Sequence, residues 1–162
     1  MAAVHTSDAA ATFSSIALKG DFYNGMRGGK NMVLTFEDST VRGVISASKA
    51  QHGVSSIDAS NFHELGMVTN TAQPAVNNGV IVQLNSGSTW TVTGTSYLTK
   101  LVVDDDAAVS APRGKSVTLT VDGTEADGDG PRPTDQLGVA LLGDLVEHGV
   151  RTSSVSMSLG AR

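Results

Sequence analysis

The sequence predicts an all-β chain wound as a parallel β-solenoid. Two observations point there first: short runs rich in Val, Ile and Thr bounded by turn residues, and apolar positions that recur in step along the chain. Composition agrees. Aromatics make up 4% of the 162 residues, so Val, Leu, Ile and Ala must fill the core, and these suit a narrow, regular interior.

One ordinary domain fits this length. Residues 1–15, small and polar, read as an irregular N-terminal arm or cap. Residues 16–123 read as the solenoid. Its runs are Met32–Phe36, Thr40–Ser46, Val80–Leu84, Thr89–Gly94, Ser96–Val103, Ala107–Ala111 and Ser116–Gly123. Several alternate with period two: Val80, Val82 and Leu84 share a face, as do Trp90 with Val92, and Val117 with Leu119 and Val121.

The repeat sets the architecture. Val82, Leu101 and Leu119 are separated by 19 and 18 residues, and Trp90 and Val109 by 19. Turns keep the same step, Asn85-Ser86-Gly87 answering Asp104-Asp105-Asp106. The upstream phrase VLTFEDSTVRGVIS aligns with VIVQLNSGSTWTVTG at an offset of about 49. A period near 20 with two or three short strands cannot bury its apolar face alone, so stacked neighbours must supply the core. The rival is a β-sandwich with turns every 8–12 residues or so.

An irregular insertion at about residues 49–79, with Gly53, Pro74 and polar clusters, interrupts the repeat. Loops of this length are often functional. Residues 124–162 read as an acidic linker followed by a cap. Within it Thr134–His148 places apolar residues at 137, 141, 142, 145 and 146, which predicts a short C-terminal helix with Thr134 as N-cap.

Charge and composition exclude several functions. A net charge of -5 with scattered Lys and Arg opposes nucleic-acid binding. Without Cys there is neither a disulfide framework nor a thiolate zinc site. No apolar run approaches the roughly 18–20 residues of a membrane span. The first residues lack the basic-then-apolar pattern of a secretory signal, so an exported form would carry its address elsewhere.

The run from Asn77 to Gly123 resembles the coils of bacterial autotransporter passengers and related surface adhesins. The residues that carry the resemblance are Gly87, Trp90, Val92, Thr93, Gly94, Ser96, Leu98, Leu101 and Val103, and STVRGVISAS upstream looks like another coil phrase. About half the chain is covered. The resemblance implies a right-handed, single-stranded parallel β-helix, and a secreted or cell-surface role of adhesin or structural type without catalysis. Its partners would be a host surface or a polysaccharide.

Candidate chemistry is sparse. Asp104, Asp105 and Asp106 form a carboxylate triplet, followed by Asp122, Glu125, Asp127 and Asp129. Hard cations take several oxygen ligands, so calcium is the ion this triplet would hold, and no other cofactor is expected. The ligand ladder of an EF-hand is missing, and Asp equally favours solvated turns. Polysaccharide-cleaving β-helices combine such an acidic calcium cluster with a basic proton acceptor, for which Lys100 or Arg113 would serve. That reading, calcium-dependent binding or cleavage of polysaccharide, is the alternative to a non-enzymatic role. Tyr97 has the opposite parity to Leu98 and is the candidate for an exposed ring stacking on a sugar. Trp90 shares parity with Val92 and reads as core. His5, His52, His63 and His148 share no metal-binding spacing, although His52 and His63 lie in the same insertion. The T-x-T phrases at Thr89–Thr93 and Thr118–Thr120 read as ordinary outward strand positions.

Overall fold

The structure, a computed structural model, describes residues 8–25, 28–121, 124–125, 136–137 and 155–161. The chain is all-β, and its strands come in successive passes. The first pass has β1 (Ala9–Ser14), β2 (Ala17–Lys19) and β3 (Phe22–Asn24). The second has β4 (Asn31–Glu37), β5 (Thr40–Gly43) and β6 (Ile45–His52). An excursion follows, with a 3₁₀ turn at Phe62–Gly66 and strand β7 (Val68–Ala72). The third pass has β8 (Gly79–Asn85), β9 (Thr89–Val92) and β10 (Ser96–Leu98). Next come β11 (Lys100–Val103), β12 (Ala108–Ser110), β13 (Lys115–Val121), β14 (Thr124–Glu125), β15 (Gln136–Leu137) and β16 (Val155–Ala161).

Corresponding strands of successive passes lie side by side. One sheet runs β1-β4-β8-β11, parallel throughout. A second runs β2-β5-β9-β12, also parallel, and ends with β15 antiparallel to β12. In a third, β3 pairs parallel with β6.

Register turns these ladders into columns of like residues. Ala11, Leu34, Val82 and Leu101 stand opposite one another in turn. So do Leu18, Val41, Trp90 and Val109. These inward columns are the core, with Phe36, Val82, Leu84, Trp90 and Val92 fully buried. Phe13 stacks on Phe36 at 5.3 Å between ring centres, and Phe22 meets both rings edge-on or tilted. Parallel stacking brings identical positions into contact, so apolar positions at a constant spacing bury one another. Fully burying one such side chain stabilises by about 1.5–3 kcal/mol.

Small hydroxyls close the corners. Ser39 is buried; its hydroxyl donates to Glu37 O at 2.8 Å and accepts from Ile16 N–H at 3.1 Å. Ser88, one pass later, donates to Asn85 O at 2.6 Å and accepts from Ser39 N–H at 3.2 Å. Buried Asn24 donates to the carbonyls of Lys30 and Gly79, tying the first pass to the third. Main-chain groups freed where strands end inside the molecule are thereby satisfied. At the first corner Ser15, Asp38 and Ser86 all adopt left-handed backbone, with φ of 53°, 46° and 47°. They follow the paired residues Ser14, Glu37 and Asn85, so the bend repeats at the same height in each pass.

Three expectations change. Ala9–Ser14, read as part of an irregular arm, is strand β1 in six-residue register with β4. Ala is a weak strand former, but a neighbour's ladder overrides propensity. Leu119, expected to continue the column of Val82 and Leu101, sits on β13, which pairs antiparallel with β16 and places Leu119 opposite Met157. Strand β16 also pairs with β10, so the C-terminal strand lies between β10 and β13. The helix expected over 134–148 is not seen where it can be judged. Gln136 and Leu137 form a strand, and the rest of that segment lies outside the described residues.

Candidate functional site

Strand β6 outruns its sheet and pairs antiparallel with β7, from Ser48 opposite Ala72 to His52 opposite Val68. The result is a hairpin that leaves the stack, with residues 53–67 at its far end. That end is built locally. The Asp58 carboxylate accepts from Ser60 N–H at 2.8 Å and from its hydroxyl at 2.6 Å, and these bonds hold its pKa below the ordinary 3.8. Asn61 Oδ1 accepts from Asp58 N–H at 2.7 Å, and Asn61 Nδ2 donates to Ser56 O at 3.1 Å. Asx-type turns of this kind curl the chain into the 3₁₀ turn. His52 Nδ1 then lies 2.8 Å from Glu64 O and 3.2 Å from Met67 O. Both neighbours are carbonyls, so Nδ1 carries the proton and pins the loop back onto β6.

What this loop presents is apolar. Phe62 and Leu65 are each 67% exposed and Met67 58%, with Val54 and Val68 also exposed. Elsewhere among the described residues the large exposed hydrophobics reduce to Ile16 and Val76. Soluble chains scatter such residues singly, whereas here five of them fall on one hairpin, which makes it the candidate site.

Apart from His52 and His63, the described residues singled out from the sequence lie outside this hairpin. Tyr97 lies on β10 opposite Ser156 and is half-buried, while its N–H donates to buried Ser46 Oγ at 3.0 Å. Asp104, Asp105 and Asp106 form the exposed bend between β11 and β12. Asp104 acts structurally there: its N–H donates to Leu84 O at 2.9 Å, its carboxylate accepts from Ser86 N–H at 3.3 Å, and its carbonyl accepts from Ala107 N–H at 3.0 Å. Among the described residues no three His, Asp or Glu converge on a point a metal could occupy. Neither Lys100 nor Arg113 makes an ion pair with the triplet among those residues. Asp122, Asp127, Asp129, His5 and His148 lie outside the described residues, as does the side chain of Glu125. His52 and His63 both reach Glu64, but through different groups: His63 Nε2 is 3.6 Å from the carboxylate, and His52 meets the backbone.

The exposed hydrophobics of NFHELGMV escaped the sequence reading, which registered only a long insertion. Their signal was four apolar residues in seven positions with neither helical nor alternating period. Comparison with known protein families, with curated proteins and with solved structures finds no match to this chain. No helix among the described residues is long and apolar enough to cross a membrane.

Proposed function

We propose that this chain is a right-handed parallel β-solenoid of a secreted or cell-surface protein, acting as an adhesin or structural element rather than an enzyme. The coil reading draws support from the shared registers: strands of each pass fall opposite their counterparts, from Ala11 through Leu34 and Val82 to Leu101. The binding role rests on one observation, the hairpin that lifts Phe62, Leu65 and Met67 into solvent. Stacked sheets supply a rigid base, and hydrogen bonds within the loop fix the shape of what is displayed. Apolar side chains held out in this way bind by being covered, at about 1.5–3 kcal/mol for each one fully buried.

The test is binding of the fluorescently labelled chain to cell surfaces and to a polysaccharide array, with and without calcium. Saturable, calcium-independent binding that is lost in Phe62→Ser/Leu65→Ser/Met67→Ser is the expected result, with thermal stability unchanged because these residues are exposed. Binding that needs calcium and survives the triple substitution would move the site to the acidic bend at Asp104–Asp106. Release of sugar products would overturn the non-enzymatic reading.

A further inference from the structure

The two ends of the stacked sheets differ. At one end antiparallel strands follow the parallel series, β15 against β12 and β16 against β10. At the other, β1, β2 and β3 pair on one side only among the described residues. The longest of these edges is β1, with sequence AAATFS. Natural edges are guarded by charge, proline or a bulge. β1 has no charged residue and no proline, and its one-to-one pairing with β4 leaves no bulge.

Main-chain groups and side chains are both left open there. Ser15 N–H donates to Glu37 O at 2.9 Å. Amides two residues apart on a parallel strand point the same way, so those of Phe13 and Ala11 also face β4, while those of Thr12 and Ala10 face outward. Ala11, Phe13, Leu18 and Phe22 are only partly buried, although their columns continue into buried Leu34, Phe36, Val41 and Ile45.

We infer that a second copy of the chain closes this end, with β1 of one protomer pairing antiparallel to β1 of its partner about a two-fold axis. Size fits: Ala9 stands opposite Met32, so the end pass spans 23 residues (32 − 9), and a standard interface takes about 20–30 residues a side. Charge fits as well. Antiparallel pairing centred on Thr12 sets the outward groups of Ala10 and Thr12 against outward groups of the partner strand, and places Asp8 of each copy beside Ile16 of the other, so no carboxylate meets a second carboxylate. Like edges match in length by symmetry, as an isologous contact requires. The inference goes beyond the surface role proposed above and stands without it.

Light scattering with size exclusion on the full chain tests it, from low to high micromolar concentration. The expected mass is twice the 16.6 kDa of one chain, falling to that of one chain in Thr12→Pro. That substitution removes an outward amide and leaves the β1–β4 ladder its donors, so circular dichroism should be unchanged. Hydrogen exchange at Ala10 and Thr12 in the unaltered chain keeps the test decisive should the variant misfold: protection should appear as the mass doubles. A single-chain mass throughout with fast exchange means the edge stays open. The same mass with slow exchange means another segment of this chain covers it. A dimer in which those amides exchange fast puts the contact elsewhere. Each of these three results refutes the inference.

Discussion

Replacing Trp90 measures how much the stacked columns hold the fold together. It is the chain's one tryptophan, fully buried between Val41 and Val109 on neighbouring strands, and its Nε1–H donates to Gly43 O at 3.0 Å. Trp90→Ala removes the largest fully buried side chain among the described residues and should cost about 3–5 kcal/mol. Trp90→Phe separates the contributions. It keeps a ring in the column but loses the indole N–H, a bond worth about 0.5–1.5 kcal/mol. Gly43 O is not orphaned, because Thr93 N–H reaches it at 3.3 Å. Adding the lost edge of the indole, Trp90→Phe should cost about 2 kcal/mol. Urea unfolding followed by circular dichroism gives both values, and unchanged slopes would show that the unfolded states match. In the unaltered chain, indole emission should be blue-shifted and resist quenching until the unfolding transition. A cost below about 1 kcal/mol for Trp90→Ala, or emission typical of an indole in water, would refute the claim that these columns are the core.

Two further outcomes follow from the same geometry. A Cβ at Gly43 would run into the backbone carbonyl of Gly20 on the preceding pass, so Gly43→Ala should destabilise by about 1–3 kcal/mol, whereas Gly20→Ala meets no atom and acts only through its backbone; melting curves of the two variants check this. The Asp8 carboxyl accepts from the Asn31 backbone N–H at 2.8 Å and from its side-chain amide at 3.2 Å, and these bonds hold its pKa below the ordinary 3.8. A depressed folded pKa contributes stability above 3.8 that is lost as pH falls through the folded value, so an NMR titration of Asp8 should give a midpoint under 3.8. A midpoint at or above 3.8 would mean that the Asp8–Asn31 contact does not form in solution.

Much of the ladder arrangement was legible in the sequence because parallel stacking repeats residue types. The spacing of 19 from Val82 to Leu101 and from Trp90 to Val109 is the observed register. The offset of about 49 resolves into 48 across β4–β8 and 49 across β5–β9. One residue is gained at the corner, where Asp38-Ser39 in the second pass becomes Ser86-Gly87-Ser88 in the third. What stayed hidden was carried by partners instead of by local pattern. Ala9–Ser14 holds three Ala and only one β-branched residue, Thr12, too little to announce a strand, and β4 makes it one. Leu119 has the right parity and nearly the right spacing, yet its backbone pairs with a strand some 40 residues later, between Val155 and Ala161. The hairpin site was visible only as an interruption, since exposed apolar residues obey neither period by which buried ones are recognised.

That interruption has a consequence for how such a chain can change. From Met32 to Val80 is 48 residues where Ala9 to Met32 is 23, so the second pass carries 25 more (48 − 23), and the ladders on either side continue in unbroken register. The corner after β6 therefore works as an insertion port. Length and sequence can vary there without being felt by the columns that supply stability, because the hairpin's ladder begins at Ser48, beyond the β3–β6 pairing that ends at Ala47. New recognition surfaces could be acquired at this one place while the scaffold beneath is kept, and a foreign β-hairpin exchanged for residues 49–72 should be displayed on the same base.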